Sequence, residues 1–382
     1  MPSTFHRDRF TWLAYFLLAL YGFFLNILGP ITPFLKDELN LTYTVSSLHF
    51  TAFAVGLMLV GFIGYILIDR LGHWRALWTG AFGLGIGAVI LVAGRTAVVT
   101  VGAAFAMGLV GSLILVIVPS ALSEEHGELR AVALSEANVV ASLVAAAAPL
   151  LVGWAALAGN WRWAMGLAAL APLGLFLGFR RVPVPQSAEK SISVSPGRKS
   201  LPARYWVYWT GIVLAVSVEF CMIFWGADYM ETILGMAKSG AAQSVSLFLA
   251  GMIVGRLAAS RLVQYFSARG VVAASVLVSG LGFMIFWMAG SATWGLMGLF
   301  VTGLGVAGLY PLLLSLAIGT AEDAVQASAR ATLASGSAIL ALPLVLGRLA
   351  DSYGIHLAYI IVGFLLIGIL FILLFTRKPG SA

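Results

Sequence analysis

The sequence predicts an all-α polytopic membrane protein, and three observations carry that prediction. Of its 382 residues, 61% are hydrophobic and only 10% are charged, and the mean hydropathy is +1.00. A soluble domain carries roughly 25% charged residues. Twelve apolar runs, each close to the roughly 20 residues of a membrane-spanning helix, occupy most of the chain. A large soluble catalytic domain is therefore excluded.

Hydropathy windows of about 19 residues place the twelve predicted transmembrane helices along the whole chain. They lie near 10–34, 46–68, 74–94, 97–121, 131–157, 160–179, 205–230, 241–265, 271–290, 293–319, 329–347 and 356–376. The first run follows His6, Arg7 and Arg9, as a signal peptide would, but it exceeds the roughly 7–15 residue core of such a peptide. It is interpreted as helix 1.

The distribution of basic residues predicts the orientation in the membrane. With the N-terminus inside, sixteen Lys and Arg residues fall in cytoplasmic segments and five on the opposite side. By the positive-inside rule both termini are cytoplasmic, and the short loops favour a prokaryotic plasma (inner) membrane. This bias accounts for the net charge of +7, because the basic residues do not cluster on one face. We expect a lipid bilayer as the surroundings and no nucleic acid as a partner.

An internal duplication is predicted on either side of a polar linker. Residues 181–203 are rich in Pro and Ser and predict a cytoplasmic linker between a six-helix bundle at 1–180 and another at 204–382. At an offset of 194, identical residues recur in three helix pairs, which favours two pseudo-symmetric halves. The recurring pairs are Met58/Met252, Val60/Val254, Gly61/Gly255, Gly111/Gly305, Pro149/Pro343 and Gly153/Gly347.

The end of helix 2 carries a short charged motif, DRLGHWR, at residues 69–75. It resembles the signature loop of the major facilitator superfamily. The resemblance implies two six-helix bundles around a central cavity, working by alternating access, and we expect a monomer. It also implies a gating role for Asp69, Arg70, Gly72 and Arg75. The alternative is a solvated turn at a helix end.

Helices 7 and 8 are similar to those of the fucose-type sugar porters within that superfamily. Glu219 is followed six residues on by Trp225 and ten residues on by Tyr229, and helix 8 contains the pair Gly255-Arg256. The resemblance implies that Glu219 and Arg256 belong to a substrate or proton site. Trp225 and Tyr229 would then form an aromatic platform for the solute, although both residue types also concentrate at membrane interfaces.

Three ionisable residues lie well inside predicted spans, namely Glu136, Glu219 and Arg256. Each costs roughly 2.5–3.5 kcal/mol at mid-membrane, so each should face the bundle interior and have a partner. Glu219 lies about 22 Å from the cytoplasmic end of predicted helix 7, and Arg256 lies about 22 Å from the outer end of predicted helix 8. In a membrane about 40–45 Å thick they therefore reach similar depth and can pair. Either protonation of Glu219 breaks this ion pair and favours one conformation, or the pair is a permanent structural salt bridge between helices 7 and 8. Arg256 can also clamp a carboxylate or phosphate of a solute.

Other polar groups in the spans extend the candidate site. Glu136 lies beside Ser135 and Asn138 on predicted helix 5, where the three suit a hydroxyl-bearing ligand or, alternatively, hydrogen bonds between helices. Asn26 stands on helix 1 where the proton-coupled carriers that the chain resembles place an acid. Asp228, near the outer end of helix 7, is expected to be exposed or to reach the membrane surface.

The predicted function is secondary active transport. The sequence has no phosphate-binding loop, no nucleophile elbow and no metal-ligand spacing, and Cys221 is its single cysteine, so we expect no enzyme, no metal and no cofactor. The expected partner is a small polar solute, sugar-like or an organic anion, driven by the proton gradient. The alternative is proton-coupled efflux of amphiphilic drugs or lipids.

Overall fold

The computed structural model describes residues 5–185, 201–321 and 324–376, and in these residues every regular element is a helix. The predicted all-α class is confirmed. The helices are α1 (Arg9–Glu38), α2 (Tyr43–Leu71), α3 (His73–Ala93), α4 (Ala97–Gly111), α5 (Leu113–His126), α6 (Arg130–Leu157), α7 (Arg162–Ala168), α8 (Ala171–Phe179), α9 (Ala203–Thr232), α10 (Lys238–Leu262), α11 (Ala268–Trp287), α12 (Ala292–Val306), α13 (Leu309–Ile318), α14 (Ala324–Tyr353), α15 (Ile355–Ala358) and α16 (Ile360–Phe375).

Eleven helical segments of the described chain are long and apolar enough to cross a membrane. One of them, Ala97–Leu157, is 61 residues long and contains two predicted spans, the fourth and the fifth. A 3-10 turn at Gly127–Leu129 interrupts it, and Gly127 has a φ of +50°, a conformation that glycine adopts readily. The count of twelve spans stays a prediction.

The described residues form two compact units. One is drawn from Met1–Leu28 and Ala52–Arg198, and the other from Gly29–Thr51 and Lys199–Ala382. The C-terminal end of α1 and the N-terminal end of α2 therefore pack with the second unit. Most of the predicted linker, residues 186–200, lies outside the described residues. The predicted domain boundaries stay a prediction.

Glycine contacts of the same kind hold a helix pair in each unit. In the first unit, a Cβ on Gly108 of α4 would lie 2.1 Å from the Phe53 carbonyl oxygen of α2. In the second unit, a Cβ on Gly303 of α12 would lie 2.1 Å from the Phe248 carbonyl oxygen of α10. Such backbone approach is possible only where the side chain is absent, so both helix pairs depend on glycine.

These contacts recur at an offset of 195 positions, one more than the sequence comparison indicated. The residues that meet are identical in the two units, and they are Phe53/Phe248, Gly56/Gly251, Phe105/Phe300, Gly108/Gly303 and Leu109/Leu304. The offset of 194 is therefore wrong for α2 and α4. The equivalence of the contacts supports the predicted duplication more directly than the residue matches did, since it concerns packing and not identity alone.

Candidate transport site

Glu219 lies near the middle of α9, the most central helix of the second unit. This helix packs against α10, α13, α14 and α16, and almost all of its residues from Gly211 to Met230 are buried. The segment is apolar on every side, as expected of a helix surrounded by protein. Glu219 is the charged residue nearest its centre.

The predicted pairing of Glu219 with Arg256 is present. The Arg256 Nη2 and Glu219 Oε1 atoms are 3.9 Å apart, within ion-pair distance but too far for a hydrogen bond. The Glu219 side chain is 18% exposed and that of Arg256 is 45% exposed. Charge at mid-span is costly in lipid, so we expect the exposed part of this pair to face water or protein.

Two residues that sequence reasoning did not identify complete the surroundings of Glu219. Tyr310 of α13 lies within electrostatic reach of Glu219 and hydrogen-bonds with Ser335 of α14. The sequence could have indicated Tyr310, because it lies in the middle of an apolar run, where its hydroxyl needs a hydrogen-bond partner. The carboxylate of α9 and the guanidinium of α10 therefore have the Tyr310 hydroxyl of α13 within electrostatic reach.

The position of Arg256 follows from two glycines that precede it. A Cβ on Gly251 would lie 2.2 Å from the Phe300 carbonyl oxygen, and one on Gly255 would lie 2.1 Å from that of Leu304. Glycines four residues apart let α10 pack directly on α12. The adjacent Arg256 is then fixed at one edge of this contact. The Gly-Arg pair noted in the sequence thus has a structural reason.

Trp225 lies in a closed aromatic cluster and not beside the Glu219 pair. Its ring has no exposed surface, and its indole nitrogen donates to the Pro343 carbonyl oxygen at 3.0 Å. Phe50 of α2 meets it edge-on at 5.9 Å and stacks on Phe224 at 4.0 Å. A position in an interfacial belt is therefore wrong for Trp225. In this conformation the ring is also shielded from any solute.

Tyr229 is likewise a packing residue in this structure. Its hydroxyl donates to the Trp287 carbonyl oxygen at 3.1 Å and lies 2.8 Å from His356 Nδ1. Its ring packs against Phe286 and Tyr359, with no exposed surface. The expected aromatic platform of Trp225 and Tyr229 is therefore absent here, because the hydroxyl and both ring faces of Tyr229 are already occupied.

Asp228 forms a buried ion pair with Lys36, which lies in the last turn of α1. The Lys36 ammonium contacts the Asp228 carboxylate and lies 4.1 Å from the centre of the Tyr43 ring. The Asp228 side chain has no exposed surface and that of Lys36 is 15% exposed. The expectation that Asp228 is exposed is therefore wrong, because Lys36 arrives from α1 to neutralise it.

Further charged contacts surround the Lys36–Asp228 pair. Lys238, at the start of α10, contacts the carboxylate of Asp37 and lies 3.7 Å from that of Glu231. Close backbone packing accompanies them, since a Cβ on Gly29 would lie 2.2 Å from the Ile223 carbonyl oxygen. Residues 29–51 are thus attached to the second unit by charge and by packing.

Asp351 of α14 contacts the start of α2. Its carboxylate accepts hydrogen bonds from the backbone amides of Tyr43 at 2.8 Å and Thr44 at 2.9 Å. The first amides of a helix lack intrahelical partners, and a carboxylate there satisfies them and opposes the helix dipole. Asp351 therefore caps α2 from a distant part of the chain.

Glu136 has a different partner from the one expected. It lies six residues into α6 and accepts two hydrogen bonds from Arg7, at 2.6 and 2.7 Å, and one from the Tyr15 hydroxyl at 3.0 Å. The hydrogen bond to Glu136 raises the pKa of Arg7, which keeps its charge. Asn138 is exposed and donates to the Leu134 carbonyl oxygen of its own helix. Glu136 and Asn138 thus form separate hydrogen bonds in this structure, and their part in a solute site stays a prediction.

Asn26 remains a candidate for polar contact in the first unit. Its side chain is largely buried in α1, and its amide nitrogen donates to the Gly22 carbonyl oxygen at 2.8 Å. Its side-chain oxygen is buried without a hydrogen-bond partner in the described structure. A buried acceptor of this kind is costly unless a donor reaches it. A hydroxyl of a solute or a water molecule would supply one.

The motif at 69–75 forms a tight turn between α2 and α3. Gly72 has a φ of +77°, which favours glycine, and the side chains of Asp69, Arg70 and Arg75 are exposed. None of these three forms an ion pair with another described residue. The predicted gating role stays a prediction, since this conformation shows the turn without a partner.

The comparisons with known proteins agree with this architecture. The model of the Major Facilitator Superfamily matches residues 14–329. An uncharacterised MFS-type transporter of Yersinia pestis is 29% identical over 167 residues, which cover 43% of this chain and 44% of the relative. That match thus spans less than half of the relative. A glucose/galactose transporter of Brucella abortus is 24% identical over 367 residues, covering 90% of this chain and 88% of the relative.

Solved structures show the same fold. A bacterial homologue of the human lysosomal transporter Spinster, in an inward-facing and occupied conformation, has a TM-score of 0.77 at 13% identity, covering 99% of this chain and 100% of the other. A D-xylose–proton symporter has a TM-score of 0.75 at 16% identity, covering 96% and 97%. At such identities the likeness concerns the fold alone. Together with the family match, it establishes that the chain belongs to the Major Facilitator Superfamily, whose members are membrane transporters and not enzymes.

Proposed function

We propose that this transporter moves a small polar solute, sugar-like or an organic anion, by alternating access, and that the proton gradient drives it. The observation that carries the proposal is the Glu219–Arg256 pair. Its 3.9 Å separation is too long for a hydrogen bond between the two groups. A structural bridge would be expected to be closer and more completely buried, as the Lys36–Asp228 pair is.

The chemistry of the pair fits both a proton and a solute. A proton on Glu219 would remove its attraction for Arg256, and a guanidinium matches the geometry of a carboxylate or phosphate on a solute. Tyr310 and Ser335 add two hydroxyl groups to the same surroundings. Proton transfer and solute binding would therefore compete for the same charges, which is a simple basis for coupling.

The similarity to the Brucella glucose/galactose transporter supports a hydroxyl-rich solute, since it extends over 90% of this chain. The fold shared with the D-xylose–proton symporter is compatible with proton coupling but does not select it. A sugar-like solute fits the hydroxyl groups, and an organic anion fits Arg256. Both remain within the proposal.

In the proposed cycle, the contacts of residues 29–51 hold the end of α1 and the start of α2 within the second unit. Lys36 joins α1 to α9, and Asp351 joins α14 to α2. Under the predicted topology, both termini are cytoplasmic and these contacts lie on the outer side of the membrane. We propose that the protein acts as a monomer in a prokaryotic inner membrane.

The test uses purified protein reconstituted in liposomes. A panel of sugars, organic acids and hydrophobic cations is first screened for thermal stabilisation, and each ligand that stabilises the protein is then tested for uptake under an imposed pH gradient. Glu219→Gln is compared with Glu128→Gln, which makes the same change at an exposed residue. The proposal expects sugars or acids to stabilise the protein, with loss of gradient-driven uptake only in Glu219→Gln.

Two results would overturn the proposal. Stabilisation by hydrophobic cations alone would favour the efflux of amphiphilic compounds, which calls for a broad aromatic cavity. Normal gradient-driven uptake by Glu219→Gln would leave Glu219 as a structural partner of Arg256.

A further inference from the structure

A groove of about 680 Å³ opens on the surface of the first unit, far along the chain from the transport site. Its wall is formed by the end of α3, the segment that follows it, and the residues from Asn160 to Leu170. This volume is in the range of small-molecule pockets. The predicted topology places its charged end at the outer surface of the membrane.

The groove has a basic end and an apolar end. Arg95 and Arg162 lie at one end, and no residue of its lining is acidic. Trp163, Leu167 and Leu170 form the other end and are 55%, 62% and 60% exposed. The apolar side chains belong to a segment apolar enough to cross the membrane. One ligand must therefore satisfy positive charge at one end and apolar surface at the other.

The two arginines differ in how they are held. Arg162 is largely buried, donates to the Val92 carbonyl oxygen at 3.0 Å and lies 4.7 Å from the centre of the Trp161 ring. It is a fixed positive charge beneath the groove. Arg95 is exposed, and no described residue forms an ion pair with it. Its guanidinium can therefore contact an anion from outside.

We propose that this groove binds a phospholipid with a negatively charged phosphodiester headgroup. Arg95 contacts the phosphate directly, Arg162 adds its charge from below, and the amide of Asn160 lies beside the headgroup. An acyl chain lies along Trp163, Leu167 and Leu170. A guanidinium matches the planar geometry of phosphate oxygens, and each interfacial arginine adds attraction for anionic lipid.

Native mass spectrometry on detergent-purified, delipidated protein tests the proposal with phosphatidylglycerol as the probe. The variant Arg95→Gln should retain roughly fivefold less phosphatidylglycerol than the wild type, the size expected for one interfacial arginine. Arg348→Gln is the matched control, since Arg348 is exposed and predicted to lie on the same side of the membrane. It should retain lipid as the wild type does.

A second variant fills the groove without removing charge. Gly166 lies in the groove wall, and a Cβ there would meet no atom within 4 Å, so Gly166→Phe adds bulk without disturbing the backbone. It should lower lipid retention as Arg95→Gln does. Gly102→Phe is its control, because Gly102 has equally free space outside the groove.

Three outcomes would overturn the assignment. Equal retention of phosphatidylglycerol and phosphatidylcholine would show that the basic end does not select charge. Displacement of lipid by glycerol 3-phosphate at matched concentration would identify a soluble phosphate ligand instead. Retention unchanged in both Arg95→Gln and Gly166→Phe would place the bound lipid elsewhere.

Discussion

Helix α9 carries two carboxylates nine residues apart that meet their basic partners in opposite ways. Glu219 faces Arg256 across 3.9 Å, and both side chains keep exposed surface. Asp228 is in direct contact with Lys36 and has no exposed surface. The first pair is long and partly exposed, whereas the second is in direct contact and buried. The difference separates a group available for transport from a group that holds helices together.

The strongest test of this difference is Glu219→Gln. Gradient-driven uptake should fall to the level of protein-free liposomes, because the side chain can no longer take up and release a proton. Its thermal stability should change less than that of Asp228→Asn, because the 3.9 Å pair makes no hydrogen bond and Arg256 is 45% exposed. Uptake is measured with a radiolabelled solute that stabilises the wild type, and stability by thermal unfolding in detergent. A large loss of stability would show that Glu219, like Asp228, serves structure.

The reverse is expected of Asp228→Asn. It leaves Lys36 buried without its counter-charge, which should cost on the order of 3 kcal/mol of stability. The double variant Lys36→Met with Asp228→Asn should recover most of that loss, because no buried charge then remains. Glu231→Gln, at a more exposed carboxylate on the same helix, is the control. Single and double variants that are equally unstable would contradict the role given to the charge pair.

A smaller effect distinguishes two aspartates that occupy similar turns. Gly72 and Gly354 have φ values of +77° and +80°, and each follows an aspartate by three residues. Asp351 caps α2, whereas Asp69 has no partner among the described residues. Asp351→Ala should therefore cost about 0.5–2 kcal/mol, the value of a helix cap. Asp69→Ala should change stability by less than about 0.5 kcal/mol. Equal effects on thermal unfolding would remove the distinction.

The smallest expected effect concerns the hydroxyl group near Glu219. Tyr310→Phe removes one hydrogen-bonding group and should raise the KM for the transported solute a few-fold, in line with roughly 1 kcal/mol for one hydrogen bond. The maximal rate should stay close to that of the wild type. An unchanged KM would place the solute away from Tyr310.

Hydropathy and residue spacing predicted the helices and the pairing of Glu219 with Arg256. Both follow from distance along a helix, since a fixed rise per residue converts sequence position into depth. The partners of Asp228 and Glu136 were not predicted, because they depend on which helices are neighbours. A charged residue near the end of a span is ordinarily expected to be exposed to water. For that reason the sequence did not indicate that Lys36 pairs with Asp228. Burial of Trp225 and Tyr229 depends likewise on packing that composition does not encode.

The glycine contacts between α2 and α4 and between α10 and α12 have a mechanical consequence. Where backbone meets backbone, a slide of even half a turn would drive carbonyl groups into the neighbouring helix. The two helices of each pair therefore cannot slide past one another, and each pair is rigid. Any large conformational change of this chain must therefore occur at hinges elsewhere, and the two helix pairs move as rigid bodies.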